Sequence, residues 1–381
     1  MGETVVQSGC SKEQIKKLTD GEIDIMKKTK KLLSMILAGA MVFSMAGCSS
    51  KTAETTAAAT EAATEAATEA ETTKEAATEA ATEAASDGET YKIGVLQLVQ
   101  HAALDASNEG FFAALDEAGV NYEVDQQNAS GEQANCLTIA EKLVSDGNDL
   151  ILAIATPAAQ AVAGVTEDIP ILLTAVTDPA ESGLVNDNAN PGVNVSGTSD
   201  LTPVKEQIDL LHELLPDAKN IGLLYCSAES NSEIQIAMAK DACDALGLTY
   251  EEYTVPSSNE IQSVVESMVG KVDAIYVPTD NVMAAGMATV AMVANDNNIP
   301  AICGEAGMVE AGGLATYGID YYQLGYMAGE QAIEILTNGA DITTMPIGYL
   351  PAERCELTVN KTTAETLGID ISGLDGAVVV E

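Results

Sequence analysis

The feature that most constrains the fold is an internal repeat of short apolar segments. Four segments return in the same order at offsets of about 125–130 residues. The pairs are 93–96 with 221–224, 122–123 with 250–251, 149–152 with 273–276, and 169–171 with 299–301. Ordered self-similarity at a near-constant offset indicates repeated structural units. The sequence therefore predicts two similar lobes.

Within each half, short apolar runs alternate with stretches of helical spacing. The run 93–96 is apolar except for one glycine, and residues 104–118 follow with the periodicity of an amphipathic helix. Continuous apolar strands separated by helices are typical of parallel sheets buried on both faces. The predicted fold class is α/β, with two doubly wound parallel-sheet lobes. Ligands bind beyond the carboxyl ends of such strands, so two facing lobes place the ligand in a hinged cleft.

The segment 26–47 has the pattern of a secretory signal peptide. Four lysines precede the apolar run 32–45, which is too short to span a bilayer, since that needs roughly 20 residues. The following Ala46-Gly47-Cys48 resembles a bacterial lipobox and makes Cys48 the expected lipidation site. Residues 1–25 lie upstream of Met26, a plausible start, and are expected to be an over-extended start.

Residues 48–88 are expected to be an acidic tether. The repeat Ala-Ala-Thr-Glu dominates this part and offers nothing that can form a core. Its glutamates recur every four residues, which would stack like charges along a helix. The tether would hold the folded part away from the membrane.

Charge and composition exclude several classes of function. The chain has 17 Lys+Arg against 58 Asp+Glu, a formal net charge of −41, which disfavours nucleic acid as a partner. Arg354 is the only arginine, so no arginine cluster can clamp an anion. With only two histidines and no catalytic or nucleotide-binding motif, we predict no enzyme activity, no metal site and no cofactor.

The scarcity of arginine bears on how a carboxylate would be bound. Thr156 follows an apolar strand and precedes Pro157, which predicts a helix N-cap whose first amides, at Ala158 and Ala159, face the cleft. Helix N-termini suit anions. Ser230 and Asn231 are candidates for the same role in the second lobe. Plain helix capping is the alternative for Thr156 and Ser230.

A ligand ammonium group needs acceptors, and three acidic residues follow buried strands. These are Asp178, Asp280 and Glu305. The alternative for Asp178, which precedes a proline, is a turn opener. His101 lies in the first strand-end loop and is a candidate ligand contact, with a structural hydrogen bond as the alternative.

Several strand-end segments together resemble the tryptophan/tyrosine-type solute-binding lipoproteins of ABC importers, which have a type I periplasmic-binding fold. The segments are 100–105, 155–160, 177–179, 225–232, 279–281 (which contains Asn281, a further candidate contact) and 319–322. The resemblance covers about residues 91–360. It departs from the family pattern at His101-Ala102, where the family usually has His-Pro.

The resemblance implies a three-strand hinge. Lobe 1 would comprise 91–200 plus about 320–345, and lobe 2 would comprise 201–319 plus about 346–381. The chain would be a lipid-anchored monomer on the outer face of the cytoplasmic membrane. It would capture an amino acid, with aromatic ones favoured, and hand it to ABC permease subunits. The alternatives are a sensing module that docks on a membrane receptor and an importer component for another solute.

Overall fold

The computed structural model describes residues 89–381, and the predictions for the signal peptide, Cys48 and the tether lie outside this part. The strands are β1 (Tyr91–Gln97), β2 (Tyr122–Asn128), β3 (Leu150–Ile154), β4 (Ile171–Val176), β5 (Val195–Ser199), β6 (Asn220–Cys226), β7 (Thr249–Val255), β8 (Ala274–Val277), β9 (Ala301–Cys303), β10 (Ala315–Gly318), β11 (Gly348–Tyr349), β12 (Glu356–Asn360) and β13 (Val378–Val380). The helices are α1 (Ala102–Glu117), α2 (Gln133–Ser145), α3 (Thr156–Ala163), α4 (Val204–Leu214), α5 (Ser230–Leu246), α6 (Ile261–Met268), α7 (Asn281–Asp296), α8 (Ala306–Glu310), α9 (Tyr321–Asn338) and α10 (Lys361–Leu367).

Two sheets with the same strand order organise these elements. The first runs β11-β5-β4-β3-β1-β2 and the second runs β13-β12-β10-β9-β8-β6-β7. Five strands of each sheet correspond one to one: β5-β4-β3-β1-β2 matches β10-β9-β8-β6-β7. All pairs within these five-strand blocks are parallel. The predicted fold of two doubly wound parallel-sheet lobes is confirmed.

The chain crosses between the lobes three times. It leaves the first sheet after β5, returns after β10 with α9 packing on α1, and leaves again after β11, which pairs with β5. The last crossing therefore lies between Tyr349 and Glu356, a few residues beyond the expected boundary at about 346. The short strand β11 is held by main-chain pairing with Thr198 and Ser199. No hydrophobic pattern in the sequence predicts this pairing.

Apolar burial on both faces of the sheets holds each lobe together. Strands β3 and β4 are buried at every residue, as expected for central parallel strands covered by helices. The first lobe has one continuous core, to which α9 contributes Leu324, Ala328 and Ala332. The second lobe has one core cluster on each face of its sheet.

Glycines allow α1 and α9 to pack with their backbones in close contact. A Cβ atom on Gly325 would lie 1.8 Å from the carbonyl oxygen of Ser107, and one on Gly110 would lie 2.0 Å from that of Tyr322. This contact fixes α9 on the first lobe directly after the second crossing. Within residues 89–381, no helix has both the length and the apolarity needed to cross a bilayer.

Candidate functional site

A polar cavity lies between the lobes, beyond the carboxyl ends of the strands. The volume that the centre of a water-sized sphere can reach in it is about 10 Å³, far below the ~300 Å³ at which small-molecule pockets begin, so the two lobes lie close together here. Its wall draws on the starts of α1, α7 and α9, the end of β4 and the loops after β5 and β9. The lining residues are His101, Leu104, Ala175, Asp200, Asn231, Thr279, Asp280, Asn281, Ala284, Glu305, Met308 and Tyr321. We call this space the inner cavity.

Three buried acceptor atoms of the inner cavity have no hydrogen-bond partner. They are Nδ1 of His101, Oδ1 of Asp200 and Oδ1 of Asn231. The amide of Asn281 donates to Glu229, so its oxygen faces Nε2 of His101 at 3.3 Å, and Nε2 is the donor. Burial lowers the pKa of His101, which keeps Nδ1 unprotonated at neutral pH. The cavity therefore presents a set of acceptors that a positively charged donor would satisfy.

Asp280 lines the inner cavity, but its carboxylate is used by its own lobe. It caps α7 by accepting from the amide of Met283 at 2.8 Å. Its other oxygen accepts from the amide of Cys226 at 2.6 Å and from the hydroxyl of Ser232 at 2.7 Å. Because both oxygens are engaged, the geometry favours a structural role for Asp280 over the predicted contact with an ammonium group.

Two further buried carboxyls are tied to main-chain amides. Glu305 caps α8 through the amides of Gly307 and Met308, at 2.5 and 2.8 Å. Glu229 accepts from the amides of Asn281 and Val282 at the start of α7. Burial raises the pKa of Glu305 to about 7, and burial together with the neighbouring Asp280 raises that of Glu229 to about 8.

Asp200 differs from these carboxyls because one oxygen is free. Its Oδ2 accepts from the hydroxyl of Tyr321 at 2.8 Å, and its Oδ1 is the unpartnered atom. Burial raises the pKa of Asp200 to about 6, while hydrogen bonds from the side chains of Tyr321 and Thr177 act in the opposite direction. None of the residues that line the inner cavity is a lysine or an arginine. Its electrostatic field therefore favours a cation.

The N-terminus of α3 adjoins the cavity from the first lobe. The amide of Ala155 donates to the carbonyl of Thr174, which places the start of α3 beside Ala175 in the cavity wall. Ala155 is the residue before the helix, with φ of 82°, and Thr156 makes no capping bond, so the predicted N-cap at Thr156 is wrong. Its buried hydroxyl has no partner.

The two amides predicted at this helix start have different roles. The amide of Ala159 donates to the carbonyl of Ala155 and is not available to a ligand. Ala158 lies within the first turn of α3, whose amides have no acceptor inside the helix. The hydroxyl of Thr156 and the amide of Ala158 are therefore buried donors at the start of α3, although neither residue lines the inner cavity.

Besides Thr156 and Ala158, two further predicted contacts do not line the inner cavity. Asp178 accepts from the amides of Ala180 and Glu181 and from the side chain of Asn188, which is the turn-opening role considered as its alternative. Ser230 is exposed at the start of α5, where its hydroxyl lies 3.4 Å from Nε2 of Gln160 across the cleft. Neither residue lines the cavity.

Sequence reasoning overlooked Asp200 and Tyr321 as site residues. In the sequence analysis Asp200 was only the last residue of the first segment of lobe 1, although it follows the buried strand β5 as Asp280 and Glu305 follow β8 and β9. Asp280 and Glu305 were chosen because they are acidic residues that follow buried strands. The same criterion would have selected Asp200. Tyr321 was indicated only by its place in the segment 319–322 of the resemblance and beside the expected lobe boundary at about residue 320, since tyrosine at a helix start is ordinary.

The cleft continues outward into a second cavity of about 310 Å³. It shares Asn281 with the inner cavity and lies beyond the ends of β1, β2, β6 and β7. Its wall is largely apolar, with Leu98, Val99, Pro157 and Val282 among its residues. The two cavities together form a cleft that runs from the hinge side toward the free edge of both sheets.

Two similar lobes, three crossings and a polar cavity between them are typical of two-lobed solute-binding proteins. The family model for ABC transporter substrate binding proteins matches residues 92–374. The chain belongs to this family.

Three related proteins are at least 40% identical to this chain in sequence. The chain is 40% identical over 348 residues to a tyrosine-binding protein of Clostridioides difficile strain R20291, covering 90% of this chain and 93% of the relative. It is 40% identical to an ABC domain from Streptococcus pneumonia solved in complex with L-Trp, with a TM-score of 0.74, covering 77% of this chain and 100% of the other. A ligand-free, open substrate binding protein with adhesive properties from Clostridium difficile is 42% identical, with a TM-score of 0.60, covering 76% and 99%.

The TM-scores of the L-Trp complex and of the ligand-free, open structure differ, although their sequence identities to this chain are nearly the same. Identities and coverage are nearly equal, yet the TM-score is higher for the L-Trp complex than for the ligand-free, open structure. The arrangement of the two lobes in this chain therefore resembles that of the ligand complex.

Proposed function

We propose that this protein captures a free amino acid with an aromatic side chain outside the cytoplasmic membrane and delivers it to an ABC permease. The observation that carries the proposal is the set of three unpartnered buried acceptors around the inner cavity. An ammonium group has three protons to donate, and a cavity without lysine or arginine favours its charge.

The second charge of an amino acid has a matching position. The hydroxyl of Thr156 and the amide of Ala158 lie at a helix N-terminus, where the dipole and the unpaired amides favour a carboxylate. Leu104 and Met308 in the cavity wall supply apolar surface for a ring. The names of the relatives, a tyrosine-binding protein and a complex with L-Trp, support an aromatic ligand.

A binding assay on the mature chain, residues 48–381, tests the ligand class. Tyrosine or tryptophan at 100 times its dissociation constant should stabilise the protein by about 2.7 kcal/mol in a thermal-shift experiment. Tyramine, which lacks the carboxylate, and 4-hydroxyphenylpropionate, which lacks the ammonium group, are the matched controls. Both should bind far more weakly than tyrosine. Equal binding of either analogue would refute recognition of both charges.

Delivery to a permease is tested in cells. Disrupting the gene should abolish high-affinity uptake of the ligand identified above, and expression of the wild-type chain should restore uptake. The variant Asp200→Asn, made at the same level, should restore little. Unchanged uptake in the disrupted strain would favour a sensing role over transport.

Anchoring depends on Cys48, which follows the predicted signal peptide. Two acyl chains hold a protein stably at a bilayer, whereas one holds it only marginally. The variant Cys48→Ala should move from the membrane fraction to the soluble fraction and should lose incorporation of labelled fatty acid. A membrane-bound Cys48→Ala variant would contradict lipidation at this residue.

A further inference from the structure

Asp200 and Tyr321 lie at two different crossings between the lobes. Asp200 directly follows β5, where the chain first leaves the first lobe, and Tyr321 opens α9 directly after the second crossing. Their side chains are both buried and are joined by a hydrogen bond of 2.8 Å. This bond therefore links two of the three connections about which the lobes move.

The bond also determines which part of Asp200 faces the inner cavity. Burial and the charge of Asp200 raise the pKa of Tyr321, so the phenol stays protonated and donates to Oδ2. A carboxylate held at one oxygen has a fixed plane, and Oδ1 is left buried and unpartnered in the cavity wall. The backbone of Tyr321 is anchored in turn on the first lobe, because the hydroxyl of Ser107 donates to the main-chain carbonyl oxygen of Tyr321 at 3.2 Å.

We propose that Tyr321 is a positioning residue that holds Asp200 so that its free oxygen receives the ammonium group of the ligand, and that this contact couples ligand binding to hinge closure. The proposal rests on the proposed function, since it assumes an amino-acid ligand. It assigns Asp200 as the residue that binds the ammonium group and Tyr321 as the residue that orients Asp200. It also links this contact to the hinge, because both residues lie at crossings between the lobes.

A pH dependence of affinity follows from this arrangement. The titratable groups that line the same cavity are His101, Asp280, Glu305 and Tyr321, and the hydroxyl of Thr177 lies beside Asp200. Since the pKa of Asp200 is raised to about 6, the carboxyl is largely protonated at about pH 5, where affinity should be on the order of tenfold weaker than at about pH 8. Losing the bond from Tyr321 raises this pKa further and should shift the midpoint of affinity to higher pH.

Isothermal titration of the mature chain with its amino-acid ligand, from about pH 5 to about pH 8, tests the proposal. Tyr321→Phe removes the hydroxyl alone and should weaken affinity on the order of tenfold or more at neutral pH, with the midpoint shifted upward. The matched control is Tyr326→Phe on the same helix. It loses a tyrosine–carboxylate bond of the same 2.8 Å, to Glu117 at the surface, and should bind as the wild type does.

Asp200→Asn keeps the shape of the side chain and removes its charge, so it serves as the second variant if Tyr321→Phe does not fold. It should bind on the order of tenfold or more weakly and should lose the affinity change centred near pH 6. Wild-type affinity in either folded variant, or an unmoved midpoint in Tyr321→Phe, would overturn the proposal. Failure of the wild type to bind any amino acid would instead overturn the proposed function.

Discussion

Replacing Asp280 by alanine tests whether its carboxylate stabilises the fold or binds the ligand. The substitution leaves three buried donors without their acceptor: the amides of Cys226 and Met283 and the hydroxyl of Ser232. Each unsatisfied buried donor costs about 1–3 kcal/mol. Part of this loss is offset because a buried carboxylate is no longer desolvated and because the hydroxyl can turn to another acceptor. We expect the free energy of unfolding to fall by about 3–5 kcal/mol.

Asp320→Ala is the matched control for this substitution. Asp320 caps α9 through the amide of Gln323 at 3.1 Å, as Asp280 caps α7, but its side chain is exposed. Losing an ordinary N-cap costs about 0.5–2 kcal/mol. The excess loss in Asp280→Ala therefore measures the two additional bonds that Asp280 makes within its lobe.

Urea unfolding gives the stability of both variants, and titration with ligand under conditions where each is folded gives the dissociation constant. We expect Asp280→Ala to be strongly destabilised while the affinity of its folded form changes by only a few fold. The opposite pattern, a stability within about 1 kcal/mol of wild type with affinity lowered a hundredfold, would refute the structural role and make Asp280 a direct ligand contact.

Three further outcomes are expected. Gly325→Ala forces a methyl group to 1.8 Å from the carbonyl of Ser107 and should lower the unfolding free energy by about 1–3 kcal/mol or more in urea titrations; an unchanged midpoint would contradict the close helix contact. In the folded protein the pKa of Glu305 is raised to about 7, so ionising this carboxyl lowers the free energy of unfolding. The wild type should therefore lose stability relative to Glu305→Gln as the pH rises from about 4.5 to about 7. A stability difference between the two proteins that does not change with pH would contradict the raised pKa of Glu305. Thr156→Val should weaken affinity on the order of tenfold, because one buried hydroxyl donor is lost, while Thr156→Ser should bind nearly as wild type; equal affinities in calorimetry would exclude this hydroxyl from the site.

The fold was predictable because its two strongest determinants are visible in a single sequence. Burial of parallel strands on both faces leaves continuous apolar runs, and duplication leaves the same runs at a near-constant offset. The position of the last crossing was not visible. Strand β11 consists of Gly348 and Tyr349 alone, and it joins the first sheet by main-chain pairing that residue types do not reveal.

The sequence analysis located five of the twelve residues that line the inner cavity, but it did not identify which acceptor atoms are free. The five are His101, Asn231, Asp280, Asn281 and Glu305, and Asn231 was expected to bind the carboxylate of the ligand. The difference between Asp280 and Asp200 depends on partners distant in the chain, such as the amide of Cys226 for the former and the hydroxyl of Tyr321 for the latter. Hydrogen bonds over 54 and 121 residues are set by the folded structure and leave no local pattern.

The protein's own contacts across the cleft are too weak to fix the lobes together. Among residues 89–381, the hydrogen bonds across the cleft include four: His101 to Asn281 at 3.3 Å, Gln133 to the carbonyl of Ala228 at 2.7 Å, Gln160 to Ser230 at 3.4 Å, and Gln235 to Thr177 at 3.3 Å. Three of the four are long, so each should contribute near the lower end of the usual 0.5–1.5 kcal/mol. Shifting a two-state equilibrium from 1:99 to 99:1 requires about 5.5 kcal/mol. A ligand that bonds to Thr156 and Asp200 at the first lobe and to Asn231 in the second lobe would supply contacts that exist only when the lobes are closed. Under the proposed function, weak hydrogen bonds across the cleft would make closure depend on the ligand, so that a permease could distinguish a loaded binding protein from an empty one.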